Sequence, residues 1–465
     1  MDRRFLFAVI AALLMVISGN GLAHSAGQQS PFRTPIPFAS KIDHVVIIMM
    51  ENHAYDNYFE TYCLQLSAYC NETGNGIAPG TCEPMLGVPG GCVVPYAFNG
   101  KNLSPPDLPH TYNSTIEALN GGQMNNFYVA ERKGLEPFGY YNGTTVPVYW
   151  DLAQEFGLGD DFFSAALSYS LPNHWYLLSG QAPAESIGTV LAAANYSQKH
   201  TYLNESNATP SIQNLLVKNG LSFRYYDFPL APYQTAIQAA PRASNDGGKG
   251  SAYSYWNPLA AKAQSYNDSY SSAFVARDQI FSDLQDSNLP NVSYVLPCCD
   301  YSDHPPANRT LAEEFVANVV DSIEYSPYWN HTAIFLTWDE YGGWYDNVTP
   351  PSIDSLGLSF RVPLIVISPF TPRGEIIGTL GHFESTLAFI EDRWGLQSQC
   401  MTPRDCGAPN LGNYFDFNMT PRSPVFIDPN PAGDTYPYAY EPYNASELDT
   451  TWLGVDNPAI DEDTD

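Results

Sequence analysis

Two acidic clusters carry the chemistry that this sequence can do. Glu51-Asn52-His53 directly follows the apolar run Val45-Val46-Ile47-Ile48-Met49-Met50, and Trp338-Asp339-Glu340 follows Thr332-Ala333-Ile334-Phe335-Leu336-Thr337. Unbroken apolar runs of this length predict inner strands of a parallel sheet, buried on both faces. Ligands of open α/β sheets sit just beyond the carboxyl ends of such strands. Glu51, Asn52, Asp339 and Glu340 are therefore predicted to meet on one rim, far apart though they are in sequence. Four oxygen-bearing side chains on one rim suit a hard divalent cation. The competing reading is that each polar residue simply opens a loop.

A candidate nucleophile lies between them. In Ser170-Leu171-Pro172-Asn173-His174-Trp175 the proline marks a helix start, with Ser170 expected at the cap. A helix N-terminus offers free N–H groups and a positive dipole end to phosphate, so a serine there can be both cap and nucleophile. His110 and His304 each end a loop between predicted sheet elements, in Asp107-Leu108-Pro109-His110 and Asp303-His304-Pro305-Pro306. His44 sits within a strand and reads as structural; His200 and His331 read as surface residues.

The elements that must position these groups follow from periodicity. Further strands are expected at Ser222-Phe223-Arg224-Tyr225-Tyr226, Ser293-Tyr294-Val295-Leu296 and Val362 to Ser368. The longest predicted helix runs from Thr310 to Tyr328, with Leu311, Phe315, Val316, Val319, Val320 and Ile323 on one face. Others are expected at 114–134 and from Ser385 to Leu396, the latter just after His382; weak helical patterns occupy 210–219 and 272–286. Gly342-Gly343, after Glu340, lets the backbone approach closely. Residues 60–110, rich in Gly, Pro and Cys, read as a disulfide-pinned surface excursion.

Composition narrows the setting. The chain has 465 residues, 49 acidic side chains against 20 Lys plus Arg, and a formal charge of -29, which argues against nucleic acid and anionic membrane surfaces as partners. Residues 1–26 read as an export signal, Arg3 and Arg4 preceding an apolar run and small residues, with cleavage after Ala23 or Ala26; an uncleaved anchor is the competing reading. No later segment is apolar enough to cross a bilayer. Eight cysteines suit the outside of a cell, with local spacing for Cys63 and Cys70, Cys82 and Cys92, Cys400 and Cys406, and with Cys298 and Cys299 adjacent. Dense Asn-x-Ser/Thr sequons, among them Asn142, Asn291, Asn330, Asn347 and Asn418, predict N-linked glycans. In strong acid the carboxylates neutralise and the charge cannot exceed +29, from 20 Lys plus Arg and 9 His. That is mild self-repulsion for such a long chain, so the composition suits an acidic habitat as well as it suits an ordinary acidic secreted protein. Residues 27–430 are expected to form the catalytic domain, and 431–465 a Pro-rich acidic tail.

Taken together, Glu51-Asn52-His53-Ala54-Tyr55-Asp56, His110, Ser170-Leu171-Pro172-Asn173-His174, His304-Pro305-Pro306, Trp338-Asp339-Glu340-Tyr341-Gly342-Gly343 and Arg361-Val362-Pro363 resemble a secreted phosphoesterase family, in family order from about 41 to 397. That family includes bacterial phospholipases C and metal-dependent acid phosphatases. The resemblance implies an alkaline-phosphatase-like fold, an α/β/α sandwich of three layers around a mostly parallel sheet. It also implies one divalent metal ion held by Glu51, Asn52, Ser170, Asp339 and Glu340, with its identity open among Ca, Mg, Mn, Fe and Zn. Ser170 would be the nucleophile, passing through a phosphoserine, and His110 and His304 would meet the phosphoryl oxygens or serve the leaving group. Asn173, His174, Asp303 and His382 are further substrate-contact candidates, the alternative for His174 being to orient the helix start.

The phospholipase C branch usually carries threonine at the nucleophile position and often adds carboxy-terminal domains, for which no room is expected after about residue 430. Ser170 therefore favours a secreted acid phosphatase acting on phosphomonoesters. Phospholipase C is the alternative, and a non-catalytic glycosylated surface-binding protein is the alternative of another class.

Overall fold

The computed structural model describes residues 36–37, 39–66, 70, 76–99, 105–182, 209–227, 258, 273–297, 301–307 and 309–431. The export signal, residues 432–465 of the acidic tail, Cys298 and Cys299 lie outside them.

Both apolar runs form the strands expected of them. β1 (His44–Met50) lies at the heart of an eight-stranded sheet. The remaining strands are β2 (Gly157–Gly159), β3 (Phe223–Asp227), β4 (Phe274–Ala276), β5 (Val292–Val295), β6 (Thr332–Trp338), β7 (Leu364–Ile367) and β8 (Ile376–Ile377), in the spatial order β8-β2-β7-β6-β1-β5-β3-β4. All neighbours of β1, β5 and β3 run parallel, whereas β7 runs antiparallel to both β6 and β2. The sheet is thus mostly parallel, and one strand reverses beside β6.

Helices cover both faces, completing three layers. Phe335 of β6 packs 5.0 Å from Phe389 of the helix Phe383–Trp394, while Trp338, three residues on and pointing the other way, packs 5.0 Å from Tyr149 of the helix Pro147–Glu155. Alternation along the strand sends neighbouring side chains to opposite layers, and all seven residues of β6 are buried. Arg309–Glu324 forms the expected long helix; it stops short of Tyr328, before Ser326-Pro327.

The 114–134 helix does not form as one piece. It breaks into Tyr112–Leu119 and Phe127–Ala130, because Asn120, Gly121, Gly122 and Met124 all take positive φ, which a right-handed helix cannot accommodate. The excursion before it is pinned as its spacing predicted, by Cys63–Cys70 and Cys82–Cys92, and Cys400–Cys406 closes a third local loop.

A buried cation ties the loops at the carboxyl rim together. The Arg361 guanidinium donates to Asp56 Oδ1 (3.0 Å), Asp346 Oδ1 (2.9 Å), Asn347 Oδ1 (2.9 Å) and the Asp160 carbonyl (2.9 Å), and lies over the Tyr55 ring. Removing it strands two buried carboxylates. Arg361→Leu is expected to cost about 3–5 kcal/mol, read from urea unfolding; a loss below about 1 kcal/mol would show that the network is not structural.

At other carboxyls burial outweighs the partners present. Burial pushes Glu60 up to about 10, Glu313 to about 8 and Glu324 to about 8. The folded chain keeps these protons where the unfolded chain, titrating near 4.5, releases them. Their contribution to stability is therefore complete below about 4.5 and lost as pH rises through the folded values. Asp354, held down to about 2 chiefly by the Arg404 hydrogen bond, acts in the opposite sense, and only below about 3.8. Melting temperature should accordingly be higher at pH 4 than at pH 8 in thermal-denaturation scans; a rise toward pH 8 would contradict this assignment.

Candidate functional site

Strand register assembles the site. Met50 of β1 pairs with Trp338 of β6, so Glu51 and Asp339 leave the sheet side by side. The ladder runs one step further on each side: Asp339 N–H donates to the Met50 carbonyl (2.9 Å), and Glu51 N–H donates to the Ser302 carbonyl (2.9 Å) beyond β5. Asp339 Oδ1 then accepts from the N–H of Asn52 (2.8 Å) and of Glu340 (2.8 Å). Asn52 takes a left-handed φ of 61°, which asparagine tolerates better than most residues. Gly342 presses against it so closely that a Cβ would stand 2.1 Å from the Asn52 carbonyl oxygen.

Each of the four predicted oxygen ligands keeps one bare atom. Glu51 Oε2, Asn52 Oδ1, Asp339 Oδ2 and Glu340 Oε1 are buried and accept no hydrogen bond of ordinary geometry. Buried carboxylate oxygens left in this way are costly, and a bound cation is what such a donor set accommodates.

His174 joins them, with Nε2 at 2.9 Å from Glu51 Oε1 and 3.7 Å from Asp339 Oδ2, so that Glu51, His174 and Asp339 form a group able to hold a metal ion. Burial, then Asp339, pushes Glu51 up to about 8. Burial alone would lower His174, but Glu51 and Asp339 outweigh it and carry it to about 10. Asp339 itself is held low, against its burial, chiefly by His174. His174, a substrate-contact candidate in the sequence, stands beside the candidate metal ligands Glu51 and Asp339. The signal for this was its position one helical turn after Ser170, which sets both on one face of a helix.

A second group adjoins the first. His110 Nδ1 donates to the Leu108 carbonyl (2.6 Å), and its Nε2 lies 3.4 Å from Asn52 Nδ2 and 3.9 Å from Glu340 Oε1. Burial would lower His110, but Glu340 and Asp107 raise it to about 10. His304 donates from Nδ1 to the Pro305 carbonyl (2.7 Å), and its ring centroid is 6.3 Å from that of His110. Asp107, which sequence reasoning passed over, completes a cluster with these two histidines. Its spacing of three from His110 was the available signal.

The remaining candidates are placed differently. Ser170 is buried and opens the helix Ser170–Ser179, with Tyr169 rather than Ser170 at the cap. Its Oγ is thus not engaged in capping. Asn173 is engaged within the chain: Oδ1 accepts from the N–H of Ala165 (3.1 Å) and Ala166 (2.8 Å), and Nδ2 donates to the carbonyls of Ala166, Ser168 and Tyr169, so the amide braces the loop before Ser170. His382 caps the helix Phe383–Trp394 and bonds Glu384 Oε2 at 2.7 Å, which is a structural position. Asp303 is buried, its Oδ2 accepting from Tyr149 Oη (2.8 Å) and Trp338 Nε1 (3.1 Å), and burial raises it to about 6.

Residues 42–397 match the model of the Phosphoesterase family. This chain belongs to that family. As a phosphoesterase it is a hydrolase acting on phosphoester bonds. Phospholipase C B of Mycobacterium tuberculosis is 26% identical, the match covering 90% of this chain and 87% of that protein. Non-specific phospholipase C1 of Arabidopsis thaliana is 24% identical over 90% of this chain and 78% of that one, and a non-hemolytic phospholipase C of Burkholderia pseudomallei is 24% identical over 81% and 59%. Among solved structures, a protein in the alkaline phosphatase superfamily from Vibrio parahaemolyticus shows a slight likeness, with 11% identity, a TM-score of 0.35 and coverage of 88% of this chain and 79% of that one. Among the described residues no helix is long and apolar enough to cross a membrane.

Asp339 both faces the candidate cation and fixes Asn52 and Glu340, so its loss should be felt twice. Asp339→Asn is expected to weaken Mn²⁺ binding by about 100-fold or more, measured by calorimetry on the stripped protein. Unchanged affinity would place the cation elsewhere.

Proposed function

We propose that the protein is an exported, metal-dependent acid phosphatase that hydrolyses phosphomonoesters through a phosphoserine at Ser170. The observation that carries this reading is the set of four bare, buried oxygens on Glu51, Asn52, Asp339 and Glu340, with Ser170 one turn ahead of His174 on a helix that reaches the same cluster. Residues four apart on one helix face lie about 5–6 Å apart at Cβ. A divalent cation held by these side chains would lower the pKa of the Ser170 hydroxyl and draw charge from the phosphoryl oxygens. The set admits Ca²⁺, Mg²⁺, Mn²⁺, iron or zinc.

The chain's own groups supply the rest. Ser170 Oγ forms the bond to phosphorus as the ester oxygen leaves, and water later cleaves the phosphoserine to free phosphate. His110, raised by Glu340 and Asp107, faces the anionic group and offers a proton to the departing oxygen. His304 supports the phosphoryl oxygens from the opposite loop. The free N–H groups at the start of the Ser170–Ser179 helix add to that stabilisation. Buried carboxyls that favour acid, together with the acidic composition, support operation at low pH.

A second reading is phospholipase C, favoured by the names of the relatives, which match most of the chain. A chromogenic phosphomonoester and phosphatidylcholine, assayed in parallel from pH 3 to 7 with added divalent metal, separate the two. Monoester turnover that falls about a thousandfold or more in Ser170→Ala supports the phosphatase and its nucleophile. Lipid turnover with little monoester activity moves the protein to the phospholipase reading, and silence on both substrates with metal bound would favour a binding protein.

A further inference from the structure

Two consecutive glycines follow Tyr341, and they do not serve the same loop. Gly342 and Gly343 take φ of 63° and 80°, and the Trp344 N–H donates to the Tyr341 carbonyl (3.0 Å). Residues 341–344 thus form a turn whose two central residues are both left-handed, the pattern of a type I′ turn. Conformation alone favours glycine there, but it leaves the surrounding space unspecified. At Gly80, Gly90, Gly220 and Gly395 φ is also positive, and an added Cβ would meet nothing within 4 Å. At Gly342 it would stand 2.1 Å from the Asn52 carbonyl oxygen, and at Gly343 it would stand 2.4 Å from Leu108 Cβ and 3.1 Å from the Pro109 carbonyl oxygen. One glycine admits the loop of Asn52; the other admits the segment Asp107-Leu108-Pro109-His110.

That segment cannot yield cheaply. The atom that Gly343 faces is the Cβ of buried Leu108, fixed to the backbone, rather than the mobile end of a side chain. Pro109 fixes its own φ and bars Leu108 from the helical region, so the chain between them is stiff. Leu108 also supplies the carbonyl that orients His110, accepting from Nδ1 at 2.6 Å. A carbonyl oxygen can only accept, so Nδ1 carries a proton in the neutral and in the charged ring alike. With Nδ1 so held, Nε2 lies 3.4 Å from Asn52 Nδ2 and 3.9 Å from Glu340 Oε1. On its other side the turn holds Glu340, whose Oε2 accepts from the Gly342 N–H (2.8 Å).

We infer that Gly343 is a positioning residue: having no side chain, it lets the turn after Glu340 seat on Leu108 and Pro109, and this close approach sets where His110 stands against the phosphoryl site. This rests on the function proposed above, in which His110 serves the departing oxygen. A side chain at 343 pushes the Leu108 carbonyl away from the turn and carries the His110 ring with it. Asn52, which faces Gly342, and the Asp339 carboxylate that accepts from its N–H stay in place. The two glycines therefore divide the site, one serving the candidate metal ligands and the other the histidine.

The test compares Gly343→Ala and His110→Ala with wild type on two monoesters: phenyl phosphate, whose departing oxygen needs a proton, and dinitrophenyl phosphate, whose departing oxygen does not. Bound metal is read by elemental analysis. Gly343→Ala is expected to lower kcat on phenyl phosphate about 10- to 100-fold and on the dinitrophenyl ester about threefold or less, with metal content unchanged. Damage to the fold at large would lower both alike. In a Leu108→Gly background, where the struck Cβ is gone, the same alanine should cost less than about threefold on either ester. If Gly343→Ala alone is too unstable to assay, recovery of the folded protein in that background supports the contact, and no recovery overturns it. The inference is also overturned if both esters fall alike, if neither falls, if metal is lost together with activity, or if Leu108→Gly leaves the penalty as large. If His110→Ala shows no disparity between the esters, or wild type turns over neither, the function proposed above fails instead. Hydrogen exchange of residues 107–112, faster in Gly343→Ala only if the segment is displaced, then decides the positioning by itself.

Discussion

Asp339 Oδ1 is the atom on which the site turns. By accepting two N–H groups, from Asn52 and Glu340, it converts the pairing of two strands into the placement of four candidate ligands. Both bonds stay within ordinary distance only because β1 and β6 pair in a register that sets Met50 against Trp338. A slip of one residue would bring an indole to the place of a carboxylate and send every alternate side chain to the other layer. Gly342, which cannot carry a side chain beside Asn52, closes the arrangement from above.

Charge is organised on two scales. At the rim, negative groups are concentrated and His174 and His110 lie against them, a setting suited to a divalent ion. Behind the rim, Arg361 pairs with the buried Asp56 and Asp346, apart from the carboxylates at the strand ends. Elsewhere burial pushes Glu60, Glu313 and Glu324 up, outweighing the Arg309 pair of Glu313 and the backbone N–H groups that Glu313 and Glu324 accept, which is tolerable for a chain that keeps them protonated. The large formal charge at neutral pH and the internal carboxyls thus lean the same way, toward acid.

Much of this was legible before any coordinates. The two strands with their acidic ends were readable because apolar runs report burial directly, and the helix at Ser170 because proline and small polar residues mark helix starts. What stayed hidden depended on side-chain direction. Asn173 looks like a ligand-binding residue in sequence, yet its amide matches the carbonyls and N–H groups of the preceding loop, a pairing that only the folded backbone creates. His382 has the form of a site histidine and serves as a helix cap. The nearness of His174 to Glu51 and Asp339, and of Asp107 to His304, joins segments more than a hundred residues apart, which periodicity does not report. The antiparallel β7 was equally hidden, since a buried strand carries the same pattern in either direction.

The reach of these contacts also has a kinetic meaning. Asn52 and Asp339, joined by one hydrogen bond, are 287 residues apart in the chain. Closing so long a loop is entropically demanding and comes late in folding, after local helices and turns have formed. The ligand set therefore does not exist in any fragment or early intermediate; it is completed only when the central sheet is. A nascent or unfolded chain of this design is chemically inert, and competence arrives together with the finished fold.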